Sequence, residues 1–491
     1  MKKVTAIILA VVLAFVIAMG DQIIKLSLSD NPLGIKNILS VFGFGNNDNI
    51  NIQAKPKIPR ITEKQQPEEE VNLTYEERVK KGDYYYEKGF LTYAANEYVK
   101  AANLEPSKIE PLVKLMKANY ELKDYSKAKN NANSILKIDA NDFNARYYSV
   151  LTSIRQNQFT EAESSIDGML SEGITDARLV YLKALINIAF GKNDMGRSLL
   201  TQAINGPTAD ASTLNNSQKI LSAYQEFDFA KSAEELYLSE LLARSFNQIG
   251  EYELAIYKLK DILRTRTDLR DSWILLGYAY LNLNNYIFAL TSFQRAYELD
   301  SEWPATQYFL GITYSELQKY NDAIIYLNYA LNNGFEPGIV IKQKLADLYL
   351  QTEKYDEAVK LYEEVLQVNK QDINAFVRPI WIYLEFLNDP EKALKLGELA
   401  VINFPDNPLS YNLLGWSQIG TKNYVEAEKN LKKAISQDPS MAAAYYNLAK
   451  LYELQNDNGQ ALANYQKAYE LDQNGSIGSL AAKRYNAILI Q

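Results

Sequence analysis

From about residue 75 onward, small and apolar positions recur with a 34-residue period, and each unit reads as two helical segments separated by a turn. Counting within a unit, position 20 is Ala94, Ala128, Ala162, Ala255, Ala289, Ala323, Ala358, Ala393, Ala427 and Ala461, with Gly196 in the one remaining unit. A small residue kept in all eleven units predicts a hairpin whose second helix approaches the first closely, because a larger side chain would wedge the pair apart. Position 8, on the first helix, is small in Gly82, Ala184, Ala243, Gly277, Gly311, Ala346, Gly415 and Ala449. It departs in Met116, Val150 and Ile380, where looser or differently angled hairpins are expected. Breakers such as Gly89, Gly191, Gly250 and Asn284-Asn285 fall between paired helices, and Pro106, Pro405 and Pro439 fall at unit ends. Each hairpin exposes an apolar face that only a neighbour can cover, so stability must come from stacking.

One unit carries the pattern most fully. Between Arg270 and Glu302, Trp273, Leu276, Gly277 and Tyr280 precede Ala289, Phe293 and Ala296, and with these residues the unit resembles the tetratricopeptide repeat. Ser301 stands where that family places a proline. The resemblance implies an all-α, right-handed superhelical solenoid of stacked helix-turn-helix hairpins, with the first helices lining its concave side. It also implies that unit positions 2, 5, 6, 9, 12 and 13 face the groove, which puts Tyr278, Tyr308, Phe309, Trp381, Trp416 and Tyr446 there. Lys344, Asp347, Arg378, Asn412 and Lys450 fall among them. Exposed aromatics anchor interfaces with large area at little entropy cost, and the mixed lining suits a protein or peptide partner, with an envelope glycan as the alternative. The competing reading is that the rings pack on one another. Members of the family that grip the carboxy-terminal carboxylate of heat-shock chaperones carry Lys at position 5 with Asn at position 9. Position 5 here holds no Lys, so that role is not expected.

The period organises the chain into four units over 75–210, an inserted helix or hinge over 211–235, seven units over 236–475 and a capping helix over 476–491. The insertion is Ser/Asn-rich at first and reads as helical from Gln218 onward. In the cap, Ala481, Ala482, Tyr485 and Ile488 share a helical face suited to covering the last hairpin. Ahead of the array, Lys2 and Lys3 precede the uncharged run Val4–Met19, the pattern of a signal peptide or signal anchor over 1–20. A helix of that length spans about 24 Å, short of the roughly 30 Å hydrocarbon core but able to cross with help from its flanks. Residues 21–74 are Asn-, Pro- and charge-rich and read as a flexible tether. The expected product is membrane-anchored with the array on the extracytoplasmic side, or secreted if cleavage follows Gly20.

Composition narrows the function classes. Apolar residues make up 47% and charged residues 23%, a folded balance, and Tyr is in excess with 36 copies. A net charge of -8 gives no basic stripe for nucleic acid. The absence of both Cys and His removes thiolate and imidazole nucleophiles, bases and metal ligands. Carboxylate pairs such as Glu363-Glu364 and Glu234-Glu235 read as solvated helix faces, so no catalytic residue, metal site or cofactor is assigned. The expectation is a non-enzymatic interaction scaffold of the cell envelope, with a glycan-binding module second and an enzyme accessory subunit a remote third.

Overall fold

The computed structural model describes residues 73–230, 234–473 and 475–490. Within them the chain forms 24 α-helices, one 3-10 turn and no strand. The apolar run Val4–Met19 and nearly all of the 21–74 segment lie outside the described residues. Among the described residues no helix is long and apolar enough to cross a membrane.

Four hairpins come first: α1 (Tyr75–Glu87) with α2 (Leu91–Leu104), α3 (Glu110–Glu121) with α4 (Tyr125–Ile138), α5 (Phe143–Arg155) with α6 (Phe159–Ser171), and α7 (Ala177–Ala189) with α8 (Asn193–Ile204). Helix α9 (Ala211–Phe229) stands alone. Hairpins five and six follow as α10 (Glu235–Gln248) with α11 (Tyr252–Thr265) and α12 (Arg270–Asn282) with α13 (Tyr286–Leu299). Hairpins seven and eight are α14 (Pro304–Glu316) with α15 (Tyr320–Asn332) and α16 (Gly338–Gln351) with α17 (Tyr355–Val368). The ninth opens with the 3-10 turn Ile373–Phe376 and continues as α18 (Val377–Glu385) with α19 (Pro390–Asn403). The last two are α20 (Pro408–Gly420) with α21 (Tyr424–Gln437) and α22 (Ala442–Leu454) with α23 (Asn458–Leu471), before α24 (Ser476–Ile490).

The crossing inside each hairpin shows why the small positions recur. Every position-20 alanine from Ala94 to Ala461 is fully buried. A Cβ on Gly277 would lie 2.6 Å from the Phe293 ring, and one on Gly311 or Gly415 would lie 2.6 or 2.7 Å from Leu327 or Leu431. The position-8 glycine is thus filled by the side chain four residues beyond the alanine, which sequence reasoning had paired with the alanine itself. Met116, Val150 and Ile380 at the same position are fully buried, so these three hairpins take a larger side chain into the crossing. In the sixth unit, Tyr280 is buried and stacks on Phe288 at 5.3 Å, and the half-buried Trp273 donates its indole N–H to the Thr267 carbonyl at 2.9 Å.

Each hairpin turn contains one residue in the left-handed region: Gly89, Lys123, Asn157, Gly191, Gly250, Asn284, Gln318, Glu353, Asn388, Lys422 and Asn456. The turn at Gln318 is typical, with its amide donating to the Ser315 carbonyl and the Lys319 amide donating to the Tyr314 carbonyl, both at 2.9 Å. Lys123, Gln318, Glu353 and Lys422 occupy this conformation at a cost of about 1–2 kcal/mol each, and a search for Gly or Asn passes them by. The insertion also starts earlier than Gln218. Asp210 caps α9 by accepting the Thr213 amide at 2.7 Å, and Thr213 and Ser217 are buried, so the Ser/Asn-rich stretch is the first part of the helix.

The array divides into two compact units, one ending at Leu299 and the other beginning at Asp300. In the first, α1 turns outward the exposed Glu77 and the 56% exposed Tyr84, at positions where α5 buries Ala145 and Thr152. A charged and phenolic face there suits the end of a stack. In the second, α24 buries Ala481 and Ile488 against a cluster containing Tyr465 and Ala468, with Tyr485 packed beside them.

Two substitutions in hairpin ten test this account in opposite directions. Gly415→Val, which drives a branched side chain into Leu431, is expected to destabilise by about 1–3 kcal/mol. Lys422→Gly, which relieves the left-handed turn, is expected to stabilise by about 1 kcal/mol. Urea midpoints by circular dichroism should move down and up respectively; midpoints that stay together would sink the close-approach argument.

Candidate binding groove

In the first unit the groove side of hairpins three and four is covered by the chain itself. Helix α11 packs against α5 and α7, the first helices of those hairpins. The second helix of hairpin five thus lies across the first helices of hairpins three and four.

The contact is charged. Arg155 donates to Glu251 at 2.7 and 3.0 Å, to Glu253 at 2.9 Å and to the Tyr120 hydroxyl at 3.1 Å. Burial alone would lower the Arg155 pKa, but Glu251 and Glu253 hold it well above the usual value. Burial pushes the Glu253 carboxyl up, with Arg155 opposing. Further along α11, Lys258 donates to the Ile188 carbonyl at 3.0 Å, and Tyr257 lies 5.4 Å from the rings of both Phe159 and Phe190. Helix α7 is consequently buried almost all round, from Leu179 to Ala189. Sequence reasoning missed Arg155, Glu251, Glu253 and Lys258 because each looks like an ordinary solvated charge on its own helix.

The predicted groove residues separate into two groups. Tyr278 is buried in the first unit, 6.2 Å from the Tyr252 ring. In the second unit Tyr308 is buried and stacks on Phe335 at 4.4 Å, and Phe309 is buried edge-on to Tyr308 at 5.3 Å. Asn412 is buried too, and its carbonyl oxygen accepts from the Asn447 amide at 2.9 Å. These four are packed into the scaffold instead of lining an open surface, since ring and amide partners from adjoining elements cover them.

The others remain accessible in the second unit. Trp381, Trp416, Tyr446, Lys344 and Lys450 are half-buried, and Arg378 is exposed. The Arg378 guanidinium lies over the Trp381 ring at 5.5 Å, a cation–π contact. Phe386 meets Trp381 edge-on at 5.0 Å and stacks on Tyr355 at 4.3 Å, which fixes the indole in place. Lys450 pairs with Glu385 at 3.0 Å, and the Tyr362 hydroxyl donates to Asp347. Burial and then Asp347 push the Tyr362 phenol up. Burial raises Tyr446, whose ring meets Tyr465 at 5.6 Å. Phe386 and Tyr355 were not singled out from the sequence; they sit at a hairpin turn, outside the groove positions. Among the described residues no cluster of carboxylates is placed to hold a metal ion.

Family models described as tetratricopeptide repeat match residues 271–302, 343–372 and 412–476. These stretches of the chain are tetratricopeptide repeats. The chain is similar to a TPR repeat-containing protein of Methanocaldococcus jannaschii, 21% identical over 444 residues that cover 81% of this chain and 76% of that one. It is 28% identical over 130 residues to the anaphase-promoting complex subunit CDC16 of Saccharomyces cerevisiae, covering 26% of this chain and 15% of the other. Among solved structures, yeast Tom70 aligns over 85% of this chain and 96% of its own at 17% identity and TM-score 0.31. A tetratricopeptide repeat protein from Parabacteroides merdae aligns over 55% of this chain and 99% of its own at 15% identity and TM-score 0.35. Tetratricopeptide-repeat proteins are typically protein-interaction scaffolds.

The covered face yields a pH prediction. Burial lowers the Lys258 pKa from 10.5 to about 8, with Asp261 and Glu235 opposing. A base depressed in the folded state contributes stability above its unfolded value, and that stability is lost as pH falls through the folded value. Lys258→Met is therefore expected to be more stable than the parent at pH 7, by about 1–3 kcal/mol. The advantage should shrink as pH rises from 8 to 10.5. Thermal melts across that range check it, and a constant difference would show that the amine is not buried as a cation.

Proposed function

We propose that this protein is a non-enzymatic scaffold that holds a protein partner in the groove of its second unit, against Arg378, Trp381 and Trp416. One observation carries the reading. Trp381 and Trp416 are half-buried at the same position of successive hairpins, with part of each left open, whereas Tyr308, Phe309 and Asn412 in the same unit are buried. Two large rings packed on the core yet partly open to solvent, one beneath an exposed guanidinium, offer apolar area with a polar edge, the composition that concentrates binding energy at interfaces. In the first unit the corresponding side of hairpins three and four already carries α11, so the second unit is the better place for a partner.

The N-terminal pattern adds a setting. Lys2 and Lys3 ahead of the Val4–Met19 run support export of the array, with the apolar run retained as the anchor that keeps the scaffold at the cell envelope.

Crosslinking in intact cells, followed by identification of what the array captures, tests the groove. A discrete set of protein partners is expected for the parent, and its loss is expected for the Trp381→Ala, Trp416→Ala double variant with circular dichroism unchanged. Identical capture by both would remove the groove reading, and retention of both proteins on envelope polysaccharide with no protein captured would favour the glycan alternative. Membrane fractionation of chains with and without residues 1–20 reports on the anchor.

A further inference from the structure

The charges around the two tryptophans say what the partner segment carries. Along hairpins eight to ten, unit position 6 is Lys344 and then Arg378, and position 9 is Asp347, then Trp381, then Trp416. The carboxylates on these groove positions are engaged by the chain: Asp347 accepts from the Tyr362 hydroxyl, and Glu385 is paired with Lys450 at 3.0 Å. Neither Lys344 nor Arg378 is ion-paired to any described residue. Asp347, Lys344 and Arg378 together leave one positive charge in excess, at the end of the surface where the tryptophans begin.

Resting on the groove reading above, we infer that the partner is an extended acidic–apolar segment: its side-chain carboxylates meet Lys344 and Arg378, and the apolar residues beside them lie on Trp381 and Trp416. The guanidinium of Arg378 is already held by the Trp381 face at 5.5 Å, so its N–H edge is pre-oriented and a carboxylate meets it with little further loss of side-chain freedom. Position 5 in this region is Gln343 and Val377, which offer no cation for a chain-terminal carboxylate, so carboxylates within the segment are the anions that fit.

The test uses the full chain and short fluorescein-labelled peptides with both ends blocked. One carries two glutamates followed by leucine and phenylalanine, and a second has both glutamates replaced by glutamine. By fluorescence anisotropy at low salt the acidic peptide is expected to bind the parent roughly tenfold tighter than its glutamine counterpart. The Lys344→Gln, Arg378→Gln double variant should erase that preference, Arg378→Gln alone should reduce it, and Trp381→Ala should weaken both peptides. Equal binding of the two peptides to the parent, or no binding of the acidic one, would overturn the acidic inference while leaving the groove reading to the crosslinking result. Binding of both peptides unchanged by Trp381→Ala would overturn the groove reading itself.

Discussion

In eight of the eleven hairpins the two helices meet at a point where neither carries more than a methyl group. Ala289 and Gly277 make that point in hairpin six, Ala323 and Gly311 in hairpin seven, and the ring or leucine that fills the glycine position completes the contact. Close approach orients the rest of the apolar residues so that each hairpin offers one face to the next. Ala145 and Thr152 of α5, or Ser272 and Ala279 of α12, are buried only because the preceding helix lies over them. A single hairpin has no core of its own, and the array is stable as a stack of nearest-neighbour contacts. The same regularity puts Trp381 and Trp416 at equivalent positions of successive hairpins, both packed on one core cluster.

The helical framework was legible because a short-range rule repeats. The position-20 alanine and the 34-residue period locate paired helices without any knowledge of tertiary contacts. Turn composition was a weaker guide, because Lys123, Gln318, Glu353 and Lys422 enter the left-handed conformation under the pull of the helices on either side. The candidate site was legible only in part. Position in the repeat suggests which way a side chain points, and Trp381 and Trp416 are half-buried and Arg378 exposed. It does not say what comes to cover it. Tyr308 is covered by Phe335 from the link after hairpin seven, and Asn412 by Asn447 two helices later, contacts that no local pattern encodes.

The tyrosine excess has a structural use that composition alone did not suggest. Tyr98 donates to Asp83, Tyr383 to Glu363, Tyr452 to Glu428 and Tyr465 to Glu453, all at 2.7–2.8 Å, and in each the ring is buried while the hydroxyl reaches a carboxylate. Each ring packs between helices, and each hydroxyl gives a partner to an acidic group in a chain that has more Asp and Glu than Lys and Arg. Burial and the neighbouring carboxylate both raise these phenols, so they stay protonated donors through the physiological range.

Helix α9 joins no hairpin, and beyond it the chain folds back on what came before: α11 lies on α5 and α7, and Arg155 meets Glu251 and Glu253 nearly a hundred residues away. A stack held only by nearest neighbours can come apart one hairpin at a time from its ends. A buried ion pair between hairpins three and five ties the helices it brackets into one cooperative block.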